Sequence, residues 1–232
     1  MTHEYIQLNR ETYDKIAKLF AQTRQYLWDD LMSFLTYTKD NQKILDIGCG
    51  TGRLYHLFKK IQGIDYIGID QSEGQIREAQ KDFPENNYIV GEMTTLPFEN
   101  EIFDVVFCIA TLHHLPDEMT RLQAIREMKR VLKKGGYICM TNWNLFSHTA
   151  QKTAKSGKYL VKNEHDFIIP WKSPEGVMLA ERYYHGFSLE ELEDLYIKAG
   201  LKIVEQYYSK KGEISDIKKG HNIVTVLQKI DN

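Results

Sequence analysis

Two aspartates and three glycines carry the strongest chemical signal in this sequence. Asp46-Ile47-Gly48-Cys49-Gly50-Thr51-Gly52 joins an apolar run to a helical pattern, and Asp70 closes the next apolar run about twenty residues past the glycines. A ligand that must lie against backbone needs side chains out of its way, and the turn needs glycine's torsional freedom. The helix that follows would offer free amides. The spacing Gly-x-Gly-x-Gly differs from the Gly-x-Gly-x-x-Gly with which dinucleotide enzymes seat a pyrophosphate. Asp46 suits the loop backbone or the amino group of a bound amino acid moiety. A carboxylate placed as Asp70 is can accept both hydroxyls of a ribose. The plainer reading makes 48–52 a simple turn. Asp46, Asp70, Gly91-Glu92-Met93, Leu96-Pro97-Phe98 and Phe103-Asp104 together weigh against it.

These residues need a frame that brings strand ends together, and the sequence supplies one. Apolar runs at 43–47, 66–69, 88–90, 103–109 and 137–142 read as strands, separated by helical patterns at 54–60, from the N-cap Ser72 to Lys81, and at 118–132. The run at 103–109 is almost continuously apolar, as a central strand buried on both faces should be. Such alternation implies right-handed crossovers and a mostly parallel sheet. Two helical patterns precede it, through Tyr13, Ile16, Ala17 and Phe20, then through Leu27, Leu31, Phe34 and Leu35. Residues 144–184 break the rhythm and read as a long irregular insertion, the usual form of a binding loop. A helix over 189–199 ends at Gly200. Strands at 202–208 and 222–228 follow as an antiparallel pair, joined by a polar turn.

The 232 residues fit one large domain. Hydrophobic residues make up 42% and charged residues 27%, ordinary for a globular protein with a real core. A net charge of −2 argues against coating nucleic acid by charge alone and leaves room for a local basic patch. Cys49, Cys108 and Cys139 show no metal-binding spacing, so free thiols, a reducing compartment and no bound metal are expected. No signal peptide or membrane-spanning run is evident, which makes a cytoplasmic protein the expectation.

Over residues 44–142 the chain resembles the class I S-adenosylmethionine-dependent methyltransferases. The resemblance implies a Rossmann-like α/β fold: a seven-stranded, mostly parallel sheet with an antiparallel last strand and helices on both faces. It implies S-adenosylmethionine as cofactor, held by Asp46, Gly48, Gly50, Gly52, Asp70 and Gln71, with Glu92 and Met93 at the adenine and Ile109 and Ala110 flanking the site. Residues 1–40 would form a helical lid that brings Tyr13 near the sulfonium, although helical spacing makes Tyr13 first a packing residue. Lys134 departs from the proline that many members carry there, at a surface turn.

A narrower resemblance covers most of the chain. Tyr13-Asp14-Lys15-Ile16-Ala17, Thr23-Arg24 with Trp28, Ile109-Ala110-Thr111-Leu112-His113-His114-Leu115, Ile169-Pro170-Trp171 and Arg182-Tyr183-Tyr184-His185 occur in the order seen in the tRNA wobble-uridine carboxymethyl O-methyltransferases. Asp29 departs from it, since that family tends to have proline after the tryptophan. The resemblance implies esterification of a carboxymethyl group on the anticodon's first uridine. That group is already anionic at neutral pH, with a pKa of about 3.7, and needs orientation more than a base. Arginine forks orient such an anion best. Arg24 and Arg182 are the candidates, with His114 beside them as a catalytic residue. His113, Trp143, Trp171, Tyr183 and His185 are candidates for the substrate, the aromatic ones by stacking on splayed bases. Lys152, Lys155, Lys158 and Lys162 are candidates for phosphate contact in the anticodon stem.

Each candidate has a plainer role. Arg24 suits a surface ion pair, Arg182 beside Glu181 a structural one, Trp28 the core, and the lysines a solvated face. Either histidine can serve only to hold its own loop. Two other functions stay open: methylation of a small molecule such as a quinone, an amine or a carboxylic acid, favoured by the charge of −2, and a non-catalytic scaffold, disfavoured by the intact glycine loop. In the resembling family the eukaryotic enzymes work with a small zinc-containing activator that covers an edge of the sheet. Exposed apolar residues near Tyr88 and Ile89 would fit such a partner here.

Overall fold

The computed structural model describes residues 2–23, 26–173 and 175–230. Its elements are α1 (Thr2–Thr23), β1 (Lys43–Ile47), β2 (Asp65–Asp70), α2 (Glu73–Asp82), β3 (Asn87–Val90), β4 (Phe103–Ile109), α3 (Glu118–Val131) and β5 (Leu132–Trp143). Then come α4 (His148–Lys155), β6 (Leu160–Val161), β7 (Asp166–Lys172), β8 (Met178–His185), α5 (Leu189–Lys198), β9 (Lys202–Lys210), β10 (Glu213–Ser215) and β11 (Asn222–Gln228).

The main sheet runs β10-β9-β11-β5-β4-β1-β2-β3. From β3 to β5 every pairing is parallel, whereas β11 is antiparallel to both β5 and β9. This is the Rossmann-like arrangement expected, with one strand more than the seven read from sequence. The extra strand is β10, three residues antiparallel to β9, in the segment read as a polar turn. The chain begins at the centre with β1, moves out to β3, and returns to place β4 against β1. That reversal opens a crevice at the carboxyl ends of the strands, where open α/β sheets bind their ligands.

Two apolar clusters cover the two faces of the sheet. One gathers Ile125, Met128, Leu192 and Tyr196 from α3 and α5, and the other Phe34, Phe58 and Ile76. Caps set the helix starts: Ser72, Asp117, Ser147 and Ser188 each accept a hydrogen bond from a backbone amide three residues on.

Three expectations change. The segments read as helices at 27–35 and 54–60 are 3₁₀ turns, Asp29–Tyr37 and Arg53–Phe58. Their buried residues, Leu31 and Phe34, then Leu54 and Leu57, lie three apart, so each side chain stacks over the last at three residues per turn. Residues 144–184 are not irregular. They form α4 and a separate antiparallel sheet, β6-β7-β8. Pro170 hid β7 from the sequence. It faces Glu181 of β8, but β6 pairs only with Phe167 and Ile168, so the missing amide leaves no bond unmade on that side.

Helix α1 is sewn to both halves of the molecule. Asn9, fully buried, accepts from Tyr183 N at 2.8 Å and donates to Tyr183 O at 3.1 Å, mimicking a strand partner for β8. Asp14 accepts from Ser72 Oγ at 2.7 Å and Gly74 N at 2.8 Å, at the start of α2.

Candidate active site

The crevice is a cleft of about 1310 Å³ whose walls include Ile6, Tyr13 and Phe20 of α1. Its floor is the loop after β1. Gly48 has φ +68° and a Cβ there would lie 2.2 Å from Thr111 Cγ2; at Gly52, φ +74°, it would lie 2.5 Å from the Tyr88 hydroxyl. Both positions therefore need glycine for torsion and for space.

Asp70 locks this loop. Its Oδ2 accepts the Gly50 amide at 2.9 Å and its Oδ1 the Ser72 amide at 2.9 Å. Burial pushes its carboxyl up to about 6, against the pull of those two amides. Asp46 is buried behind the loop and accepts the Tyr66 hydroxyl at 2.6 Å. Burial pushes it up to about 7, with Tyr66 opposing and Asp70 reinforcing the shift. Asp46, Gly48, Gly50, Asp70, Gln71, Met93 and Ile109 all line the cleft, and Gly52 closes the turn beneath it. Glu92 also lines it, with its carboxylate held by Arg10 of α1.

Sequence reasoning missed Gln75. Its place three residues after the N-cap Ser72 reads as a capping-box position. In the fold only its backbone amide bonds Ser72. The side-chain Nε2 donates to Tyr13 O at 3.3 Å, while Oε1, buried beside Gly50, has no partner among the described residues. Together the orphaned acceptor, the two acids and the side-chain-free loop fit a ligand with an ammonium group and a ribose, as S-adenosylmethionine has.

At the other end of the cleft stands Arg182, 4% exposed. Its Nη1 donates to the Tyr184 hydroxyl at 2.6 Å, and its guanidinium lies 4.9 Å from the Trp171 ring and 5.1 Å from that of Tyr184. No carboxylate pairs with it among the described residues, and its Nε has no hydrogen-bond partner there. Both histidines line the cleft. His114 donates from Nδ1 to Tyr183 O at 2.9 Å, so its Nε2 accepts the Tyr13 hydroxyl at 3.0 Å. Burial drives its pKa down to about 3. His113 Nδ1 accepts the Trp143 amide at 3.3 Å, which puts the ring proton on Nε2, a buried donor with no partner among the described residues. Burial, with His114 and Arg182 nearby, holds its pKa well below the usual range. Both rings are thus held neutral by burial, and His114 is bonded on both nitrogens, to Tyr183 O and the Tyr13 hydroxyl.

Three of the described substrate candidates, Trp171, Tyr183 and His185, do not line the cleft. Side chains alternate along a strand, so Arg182 and Tyr184 face the cleft while Tyr183 and His185 face away. Tyr183 stacks on Tyr5 and bonds Asp166. His185 sits between Asp166 and Glu191, each at 2.9 Å. Trp143 lines the cleft and stacks on Tyr184, and Trp171 acts behind Arg182. Trp28, read as core, lines the cleft with Arg53 4.7 Å over its ring. Arg24 lies outside the described residues.

Two measurements follow from the acids. Asp70→Ala loses charge-assisted bonds of about 1.5–3 kcal/mol and is expected to weaken S-adenosylmethionine about ten- to a hundred-fold; calorimetry showing unchanged affinity overturns the assignment. Asp46, near 7, is only partly ionised at neutral pH. A cationic ligand beside it favours the charged form. Binding should therefore release a fraction of a proton at pH 7 and strengthen as pH rises through that value. Calorimetry in two buffers of different ionisation enthalpy reads this, and equal heats would exclude it.

Residues 45–140 match the family model described as "Methyltransferase domain". A putative methyltransferase of Encephalitozoon cuniculi is 30% identical over 195 residues, 83% of this chain and 86% of that one. A tRNA (carboxymethyluridine(34)-5-O)-methyltransferase of Schizosaccharomyces pombe is 29% identical, over 90% of this chain and 93% of its own. Among solved structures, an S-adenosylmethionine-dependent methyltransferase of Methanosarcina mazei superposes with a TM-score of 0.69 at 24% identity, covering 86% of this chain and 98% of its own. The complex between the Haloferax volcanii Trm112 methyltransferase activator and a putative methyltransferase gives 0.66 at 17% identity, covering 94% and 98%. With its glycine loop, paired acids and strand order, the chain belongs to the S-adenosylmethionine-dependent methyltransferases.

Proposed function

We propose that this methyltransferase esterifies the carboxymethyl group on carbon 5 of the wobble uridine of tRNA. The observation that carries the reading is Arg182: a buried guanidinium facing the cleft with no carboxylate of its own among the described residues. An uncompensated buried charge costs several kcal/mol. A substrate carboxylate arriving in the cleft would remove that cost. The name of the Schizosaccharomyces pombe relative supports the same chemistry.

S-adenosylmethionine would lie over the glycine loop, with Asp70 toward its ribose and Gln75 and Asp46 toward its amino acid end, and it supplies an electrophilic methyl on sulfur. A carboxylate is anionic at neutral pH and needs no proton removed. That suits two histidines held neutral by burial. Arg182 fixes the anion, and the Nε2 proton of His113 is free for a uracil carbonyl or the carboxylate itself. The stacked Trp143–Tyr184 pair, with centroids 4.9 Å apart, offers a platform for the base. The three cysteines are unpaired, which fits a cytoplasmic enzyme; no described helix is long and apolar enough to cross a membrane.

A small zinc-containing activator is part of this reading. Among the described residues strand β3 pairs only with β2, which leaves its outer edge open. Val90 is exposed there and Ile89 half-buried, whereas Tyr88 turns inward beneath Gly52. Open strand edges invite pairing with another chain. The solved activator complex among the structural neighbours supports such a partner.

Arg182→Met should lower turnover of an anticodon stem-loop bearing carboxymethyluridine at least about a hundred-fold, with S-adenosylmethionine affinity within about two-fold. Near-normal turnover would remove Arg182 from the chemistry. Wild-type enzyme that ignores the stem-loop yet esterifies small carboxylic acids would overturn the tRNA reading. For the partner, co-expression with a Trm112-type protein should give a complex that co-elutes, and Ile89→Pro should abolish it; separate elution of the wild-type chains rejects it.

A further inference from the structure

A second groove of about 560 Å³ opens beside the cleft, and Trp143 lines both. Its walls come from Thr149 and Ala150 of α4, from Tyr159, and from His221 just before β11. Tyr159 packs with Trp143 against the apolar cluster of Phe167, Ile169 and Tyr184.

Exposed lysines gather around this groove from two distant parts of the sequence. Ala150 and Ala154 turn the inner face of α4 onto the β7–β8 hairpin, which leaves Lys152 and Lys155 outward. Lys158 follows the helix, and Lys218 and Lys219 come from the turn before β11. That turn is fastened to the groove wall. Asn144 Nδ2 donates to Ile217 O at 2.8 Å and Gly220 O at 2.9 Å, and His148 N donates to Lys218 O at 2.8 Å. Lys219 has only a long approach to Asp216, 3.9 Å. Lys152, Lys155, Lys158 and Lys218 have no ion pair among the described residues. In a chain of net charge −2 this is a local excess of positive charge on a fixed scaffold.

We propose that this groove receives the nucleotide next to the methylated one, its base against Tyr159 and His221 and its flanking phosphates on the lysines of α4 and the 216–221 turn. The proposal rests on the RNA reading of the main site. Two observations carry it: Trp143 lines both the cleft and the groove, and the two segments that wall the groove, α4 and the turn before β11, carry exposed lysines of which Lys152, Lys155 and Lys218 have no ion pair among the described residues. Single-stranded RNA is held by that combination.

The test uses this chain co-expressed with a Trm112-type protein, S-adenosylmethionine and a carboxymethyluridine anticodon stem-loop. Thr149→Trp fills the groove and should raise KM for the stem-loop about ten-fold or more, with kcat at saturating RNA and cofactor affinity near wild type. An abasic site at one neighbour of the target should raise the wild-type KM similarly. The exposed pair Lys152→Glu/Lys218→Glu should flatten the salt dependence of RNA binding by about 0.7 log units for each phosphate no longer neutralised. Thr149→Trp enzyme with normal cofactor affinity and a wild-type KM overturns the groove alone, as does an unchanged salt slope in the lysine pair. Wild-type enzyme inactive on the stem-loop overturns the RNA reading, and the groove with it.

Discussion

Asp70 is the constraint on which the donor end of the site depends. Its two oxygens hold the amides of Gly50 and Ser72, one in the turn after β1 and one at the entry to α2. The same carboxylate therefore sets the glycine loop and the start of the helix behind it, and in the proposed complex it is the acceptor for the ribose. Burial raises its pKa to about 6, but the two amides keep it available as an anion at neutral pH. Little else at that end has freedom once those bonds are made. Gly48 lies against Thr111, Gly52 against Tyr88, and Gln75 against Gly50.

The other end of the cleft follows a different logic. Arg182 sits among aromatic rings rather than acids. The rings hold the guanidinium in place without neutralising it. The histidines, both uncharged, complete a surface that offers donors but no proton acceptor of useful basicity. Such a surface orients an anion and leaves its nucleophilicity intact.

The donor end was legible in the sequence because its chemistry is local. Gly48, Gly50, Gly52 and Asp70 announce themselves by spacing, and β4 by an apolar run. What stayed hidden depends on pairing between distant residues. Pro170 masked β7, so the 144–184 segment read as irregular, and without β8 as a strand nothing sorted its residues by face. Arg182 and Tyr183 then looked equally available, although alternate sides of one strand separate them. Gln75 drew no notice because its position in the sequence carries no signal beyond helix. Its orphaned oxygen appears only when α1 arrives to take its other end. The 3₁₀ turns at Asp29–Tyr37 and Arg53–Phe58 were misread for a related reason: spacings of three serve either helix type until packing chooses.

Helix α1 touches both ends through polar side chains, the buried Asn9 on the β8 backbone and the half-buried Asp14 on the entry to α2. A single rigid rod thus spans the donor half and the acceptor half. Any stiffening that one ligand imparts to this rod is inherited by the other. Thermodynamic reciprocity makes that benefit equal in both directions. One helix therefore joins the two ends of the cleft through its own side chains.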